Sequence, residues 1–393
     1  MVEGRADGAV IERAERLAAL VGAEAEQAER ERRLTEPVMS AAADSGLFSM
    51  VVPESYGGEG AGLRDLLDTT RTIATGCPAS AWTLSFFVLH NWLLTRFSEE
   101  LQSEVFGPKG YGLVPAPLAP TGQLQRVDGG WEVSGRWEWA TGVNHADWVI
   151  VHGLEVRDDA FAPRFAVLPI GDVEVDDVWH TSGMRATGSN TVRVDGAFVP
   201  DHRTLPSEEL LEDRPAATGN EMAALPVMAV LALVAAAPAL GAAQSAVELY
   251  AARIRERVLA YTLGDKAIDQ PAAQVRLGHA LAQVRAARAS FDAAAGQLLD
   301  AVEDASSQGG GVGLEVRMAV RLAAANTVRL SNEVISHVGD GAGASVYQLS
   351  SPLQRLQRDV EVLKGHVVFD WDRTTELAGR IELGLPLRPA DRI

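Results

Sequence analysis

Residues 349–373, LSSPLQRLQRDVEVLKGHVVFDWDR, open with a helix start and continue as two stripes, one apolar and one charged. Ser351 can accept a bond from a free amide of a first helical turn, and Pro352 sits where a missing N–H costs nothing. Leu353, Leu356, Val360 and Leu363 then recur at helical spacing. Arg355, Asp359 and His366, four and seven residues apart, fall along a neighbouring stripe of the same helix. Asp370, four residues past His366, comes within reach of the imidazole if the helix continues, where a carboxylate would fix its tautomer and raise its basicity. Two readings follow from this stretch alone. One is an acid/base site, and the other is an Arg/Asp network that ties a helix to its neighbours.

The rest of the chain bounds the choice. A length of 393 residues calls for two or three domains, and 47% hydrophobic content with a mean hydropathy of +0.02 is that of an ordinary globular protein. A net charge of −18 repels nucleic acid and anionic membranes. Cys77 is the single cysteine, so neither a disulfide framework nor a thiolate metal site is available, and a reducing cytoplasm is expected. The N-terminal residues have no apolar signal core. The uncharged run Met222–Ala243 approaches membrane-spanning length, but Pro226 and Pro238 interrupt it and no basic flank orients it, so a buried bundle helix is expected there.

Periodicity divides the chain in three. Residues 1–109 are helical, with an amphipathic helix at 9–33, further helices at 36–45, 63–75 and 78–97, and a glycine-rich loop at 53–62. Residues 110–206 carry short β-prone runs, WEVSGRWEWATG, DWVIVHGLEV, RFAVLPI, VEVDDVWH and NTVRVDGAFVP, with alternation at Trp131, Val133 and Gly135. Residues 207–393 return to long helices, near 221–261, 270–304, 314–338 and 351–378. The expected fold is α+β, an N-terminal helical domain, a middle β domain and a C-terminal four-helix bundle.

No GxGxxG follows a strand and opens a helix, and no Walker loop, HExxH pair, GxSxG elbow or EF-hand loop occurs. Nicotinamide binding of the Rossmann kind, metal catalysis, phosphoryl transfer and serine hydrolysis lose support. The strings GLFSMVVPESYGGEG, SGRWEWATG, TSGMRATGSNTVRVDGAFVP and SPLQRLQRD with a following histidine, in that order, resemble the acyl-CoA dehydrogenase fold across essentially the whole chain. The last two resemble its flavin-dependent monooxygenase branch, two-component hydroxylases fed by a partner reductase. The alternative is an acyl-CoA dehydrogenase, an FAD enzyme whose base is usually a Glu after the Arg-Asp pair. Here VEVLKGHVVFDW follows Arg358 and Asp359 and offers His366 instead.

What the resemblance implies is specific. Reduced FAD or FMN, FADH2 favoured, would be supplied by a separate NAD(P)H:flavin reductase and would react with O2 through a C4a-hydroperoxyflavin to hydroxylate a phenol, polyketide aromatic or indole. Trp139 and Thr141 match the strand against the isoalloxazine, and Ser189 the side of its N5. Gly339 and Gly341, with Arg355, match the region of the flavin phosphates, usually contributed by a neighbouring subunit of a homotetramer or homodimer. His366 matches the catalytic histidine, and His90 a histidine at the substrate, though it equally suits a helical core. Phe86, Trp92 and Phe369 are expected to line an aromatic substrate pocket. No metal is implied.

Overall fold

The computed structural model describes residues 8–156, 162–213, 221–308, 310–388, 391 and 393. The first helices are α1 (Gly8–Glu31), α2 (Glu36–Asp44), α3 (Leu63–Ala74), α4 (Pro78–Leu94) and α5 (Glu99–Phe106). Helix α1 buries Val10, Ala14, Leu17, Val21, Ala25 and Ala28, a stripe at steps of three and four. Helix α4 starts with Pro78 at its first turn and is buried nearly all round, because it lies between the sheet and the long C-terminal helices.

Seven strands follow: β1 (Gly122–Val127), β2 (Gly130–Ala140), β3 (Trp148–Glu155), β4 (Ala162–Pro169), β5 (Glu174–Asp176), β6 (Asn190–Pro200) and β7 (Thr204–Pro206). They form one sheet in the order β5-β6-β2-β1-β3-β4-β7, antiparallel except for the β1–β3 pair. Its interior holds Leu124, Trp137, Val149, Leu168 and Val192. Ile150, Phe165 and Val167, on the other face, pack with Leu94, Phe97 and Leu101 of the helical part. The β2–β6 register shifts twice, between Val133 and Gly135 and between Trp137 and Ala140. A bulge re-aims the side chains beyond it, and at the second one Trp139 takes φ +64° and turns its indole outward, 62% exposed.

The C-terminal part contains α6 (Ser207–Leu211), α7 (Val227–Glu256), α8 (Pro271–Gln308), α9 (Leu314–Ala342), α10 (Pro352–Leu363) and α11 (Trp371–Glu382). Helix α7 is long and apolar enough to cross a membrane, but 89% of its apolar window is buried inside the protein. The single helix expected over 351–378 is instead two. Helix α10 ends at Leu363, a short 3-10 turn covers Val367–Phe369, and Asp370 restarts the chain by accepting from the Arg373 amide at 3.0 Å. Gly365 weakens continuation, and Asp370 is worth more as an N-cap than inside a helix.

One joint fixes the sheet to the C-terminal helices. The turn 181–188 lies on α10 so closely that a Cβ on Gly183 would stand 2.0 Å from the Arg358 carbonyl oxygen. Arg358 donates to the Ser182 carbonyl at 2.6 Å, and the Met184 amide donates to the buried Asp359 carboxylate at 2.6 Å. Gly183→Ala is therefore expected to force the joint apart and cost about 1–3 kcal/mol, the range for overpacking; a urea unfolding midpoint equal to that of the native protein would refute the close approach.

Candidate functional site

Three hydroxyls meet where β2 ends and β6 begins. Ser189 lies 2.9 Å from Thr141 and 2.7 Å from Thr187, Oγ to Oγ, and Thr187 donates to the Met184 carbonyl at 2.8 Å. Gly142, at φ +77°, allows this end of β2 to touch α4, since a Cβ there would stand 2.5 Å from the Phe87 ring. The contact brings the Trp82 indole N–H of α4 to Thr141 Oγ1 at 3.4 Å.

From Trp82 the site continues as aromatic rings. Trp82 stacks on Phe86 with centroids 4.5 Å apart and meets the His366 ring edge-on at 5.5 Å. His90 is edge-on to Phe86 at 5.4 Å, and Phe369 stands 5.9 Å from His366. Residues from α4, the β2 and β6 ends and the 3-10 turn after α10 thus converge, and His366, Ser189, His90, Thr141, Phe86 and Phe369 are among them.

The two histidines are both neutral at pH 7. The buried His90 donates from Nδ1 to the Val114 carbonyl at 2.6 Å, which leaves the Nε2 lone pair buried without a partner among the described residues. Burial pushes its pKa down to about 4, against the smaller upward pull of the Val114 carbonyl. His366 Nδ1 accepts from the Val368 amide at 3.4 Å, so the ring proton sits on Nε2. Desolvation by its neighbours, Trp82 and Phe369 among them, lowers its pKa to about 4, although the residue as a whole is exposed. Asp370 does not raise that basicity: its carboxylate caps α11 and is turned to the Arg373 amide.

Other expected site residues lie outside this cluster. The Trp92 indole donates to the Met222 carbonyl at 2.8 Å inside the main core, so it packs helices and does not line the aromatic group. Arg355 pairs with Glu29 of α1 at 3.0 Å, the same carboxylate that Arg358 binds, and these guanidiniums serve the α1–α10 contact. Gly339 and Gly341 belong to the last turns of α9 and take no part in the cluster around Ser189. Arg257 donates to the Gly341 carbonyl at 3.0 Å and Arg276 to the His337 carbonyl at 2.5 Å, so cations gather at the negative end of α9. Thr187 and Met184 were not anticipated, because their roles depend on a turn geometry that residue types do not announce.

A flavin suits these residues. Trp139 offers an exposed flat apolar face beside buried hydroxyls, and an isoalloxazine likewise joins a flat apolar ring to a polar edge. Glu361, the carboxylate after Asp359, is bound to Lys364 and Asn332 on the surface and cannot act as a dehydrogenase base at this site.

Comparison with known proteins agrees. Residues 8–110 match the acyl-CoA dehydrogenase N-terminal domain and residues 233–371 the acyl-CoA dehydrogenase C-terminal domain. The chain is 34% identical to a pigment production hydroxylase of Rhodococcus sp. (strain ATCC 21145), over 95% of this chain and 96% of that one. It is 32% identical to the flavin-dependent monooxygenase oxygenase subunit HsaA of Rhodococcus jostii, covering 92% and 95%. The solved structure of XiaF from Streptomyces sp., in complex with FADH2 and glycerol, superposes with a TM-score of 0.91 at 28% identity, covering 98% and 96%. The chain belongs to the flavin-dependent monooxygenases of acyl-CoA dehydrogenase fold, as an oxygenase component.

The lowered pKa of His90 has a sign that can be checked. Between pH 6.5 and about 4 the unfolded chain takes a proton that the folded chain refuses, so His90 removes stability as pH falls through that window, by roughly 3 kcal/mol at 1.36 kcal/mol per pH unit. Asp359, raised to about 7 chiefly by burial, acts in the opposite sense, since the folded chain holds its proton below that pH while an unfolded aspartate does not. Urea unfolding of His90→Gln from pH 7 to 4.5 should therefore lose less stability with acid than the native protein does; parallel pH slopes would contradict the burial of a neutral imidazole.

Proposed function

We propose that this protein uses reduced FAD, delivered by a separate NAD(P)H:flavin reductase, together with O2 to hydroxylate a small aromatic molecule held between α4 and the His366 turn. The observation that carries this reading is the convergence of the Ser189–Thr141 hydroxyls, the Trp82–Phe86 stack and two neutral histidines. Trp139 and Thr141 would hold the isoalloxazine, with Ser189 at its N5 edge. Bound reduced flavin supplies the two electrons that let one oxygen atom of O2 enter the substrate while the other leaves as water.

The chain's own groups have distinct tasks. Trp82, Phe86 and Phe369 offer flat faces to an aromatic ring and keep water from it. His90 Nε2, a lone pair in a dry setting with no partner among the described residues, is placed to accept a hydrogen bond from a phenolic hydroxyl or indole N–H and so orient the ring. His366 is placed to pass its Nε2 proton inward while Nδ1, held only by the 3.4 Å bond from the Val368 amide, takes one from solvent, so the ring stays neutral. A cytoplasmic location, where NAD(P)H is made, suits such a pair of proteins. A homotetramer or homodimer is supported by the exposed Tyr261, Leu263 and Val275, apolar side chains that a second copy would cover.

The test mixes the protein anaerobically with reduced FAD, then adds 18O2 and a panel of phenols and indoles. Incorporation of one labelled atom is expected; flavin oxidation without labelled product from any member would end the hydroxylase reading, and reduction of oxidised FAD by an acyl-CoA would restore the dehydrogenase one. His366→Ala should reduce product formed per flavin oxidised by about 10²-fold, the usual size of an acid/base contribution. Its melting temperature should stay near that of the native protein, because His366 is an exposed residue held by a long 3.4 Å bond from the Val368 amide; unchanged coupling would remove His366 from the chemistry.

A further inference from the structure

The three hydroxyls form a chain whose direction is fixed at both ends. Thr187 spends its single proton on the Met184 carbonyl at 2.8 Å, so its 2.7 Å bond with Ser189 must use the Ser189 proton. Ser189 then has none left, and its 2.9 Å bond with Thr141 must use the Thr141 proton. At the far end the Trp82 indole N–H, which can only donate, points to Thr141 Oγ1 at 3.4 Å. Protons therefore run one way, from indole N–H through three oxygens to a carbonyl that can only accept. Neither end can reverse.

The terminal carbonyl is itself held. Met184 occupies the left-handed region at φ +53°, a conformation that a non-glycine residue keeps only when its surroundings impose it. Its amide donates to Asp359 at 2.6 Å, and its carbonyl also receives the Trp179 indole N–H at 2.9 Å.

We infer that this one-way chain makes Ser189 a hydrogen-bond acceptor only toward the cofactor, and thereby selects the reduced flavin, whose N5 carries a hydrogen, over the oxidised flavin, whose N5 carries a lone pair. The inference rests on the reading that Ser189 faces N5. With oxidised flavin two lone pairs would confront each other, and an unmade hydrogen bond at a buried group lowers affinity by about tenfold. Thr187 and Met184 act as positioning residues, setting the polarity of Ser189 without touching the flavin. An oxygenase that must take reduced flavin from a reductase and release oxidised flavin gains directionality from such a preference.

The experiment measures anaerobic dissociation constants of the native protein for reduced and oxidised FAD, and for reduced and oxidised 5-deaza-FAD, in which a carbon replaces N5. The reduced-over-oxidised preference should be about tenfold larger for FAD than for the deaza analogue. Thr187→Val frees the Ser189 proton to turn toward the cofactor, so the FAD preference should fall about tenfold through tighter binding of the oxidised form, and Thr187→Ser should restore it. Equal preferences for FAD and 5-deaza-FAD in the native protein would overturn the inference, even if Thr187→Val failed to fold, and so would an unchanged preference in a folded Thr187→Val. Absence of binding by either flavin state would instead sink the functional reading, and this inference with it.

Discussion

The contact on which the arrangement depends is the bond from the Met184 amide to the buried Asp359 carboxylate. It joins the sheet to α10, and α10 in turn is held to α1 through Arg355, Arg358 and the shared Glu29. A carboxylate in such a place is under tension. Burial raises its pKa to about 7, and the Glu29 charge adds to that, while the Met184 amide, Arg358 and Arg355 draw it down. Such a network contributes little net stability over a well-packed apolar substitute, yet removing one member leaves a buried group unpaired. Its value lies in fixing one geometry, with Gly183 permitting the turn to come close enough for that bond to form.

The consequence is felt a few residues later along the turn. With the Met184 peptide pinned on both sides, Thr187 has a fixed acceptor and Ser189 a fixed partner. On the opposite side the bulge in β2 rotates Trp139 outward and leaves Thr141 facing α4. Two local irregularities, a left-handed turn and a strand bulge, thus bring polar groups to the edge of an otherwise aromatic site. Both are departures from regular structure, where functional groups are commonly re-aimed.

Neutral histidines fit the same picture. His90 and His366 sit in surroundings that disfavour the imidazolium, so each remains available as a lone pair or a single N–H at neutral pH. Their roles differ by access. His90 is enclosed in α4 with one nitrogen committed to Val114, whereas His366 stands at the open side next to Phe369.

Much of this was legible in the sequence. Helical spacing located α1 and α10, a long uncharged run located α7, alternation located β2 and β6, and the ordered strings TSGMRATGSNTVRVDGAFVP and SPLQRLQRD marked the family. These features are local, and propensity and periodicity act locally. The sequence also singled out His366, Ser189, His90 and Thr141. Three matters were decided only by tertiary structure. Arg355 faces Glu29, more than three hundred residues away, and Trp92 turns its indole to Met222, partners that no spacing along the chain specifies. The helix carrying Asp359 stops before His366, because Gly365 and the Asp370 cap outweigh the helical pattern, and this brings the histidine to Trp82 rather than to Asp370. The direction of the Trp82–Thr141–Ser189–Thr187 chain depends on which atoms meet in space: residue types say that a hydroxyl can donate or accept, and only its neighbours decide which.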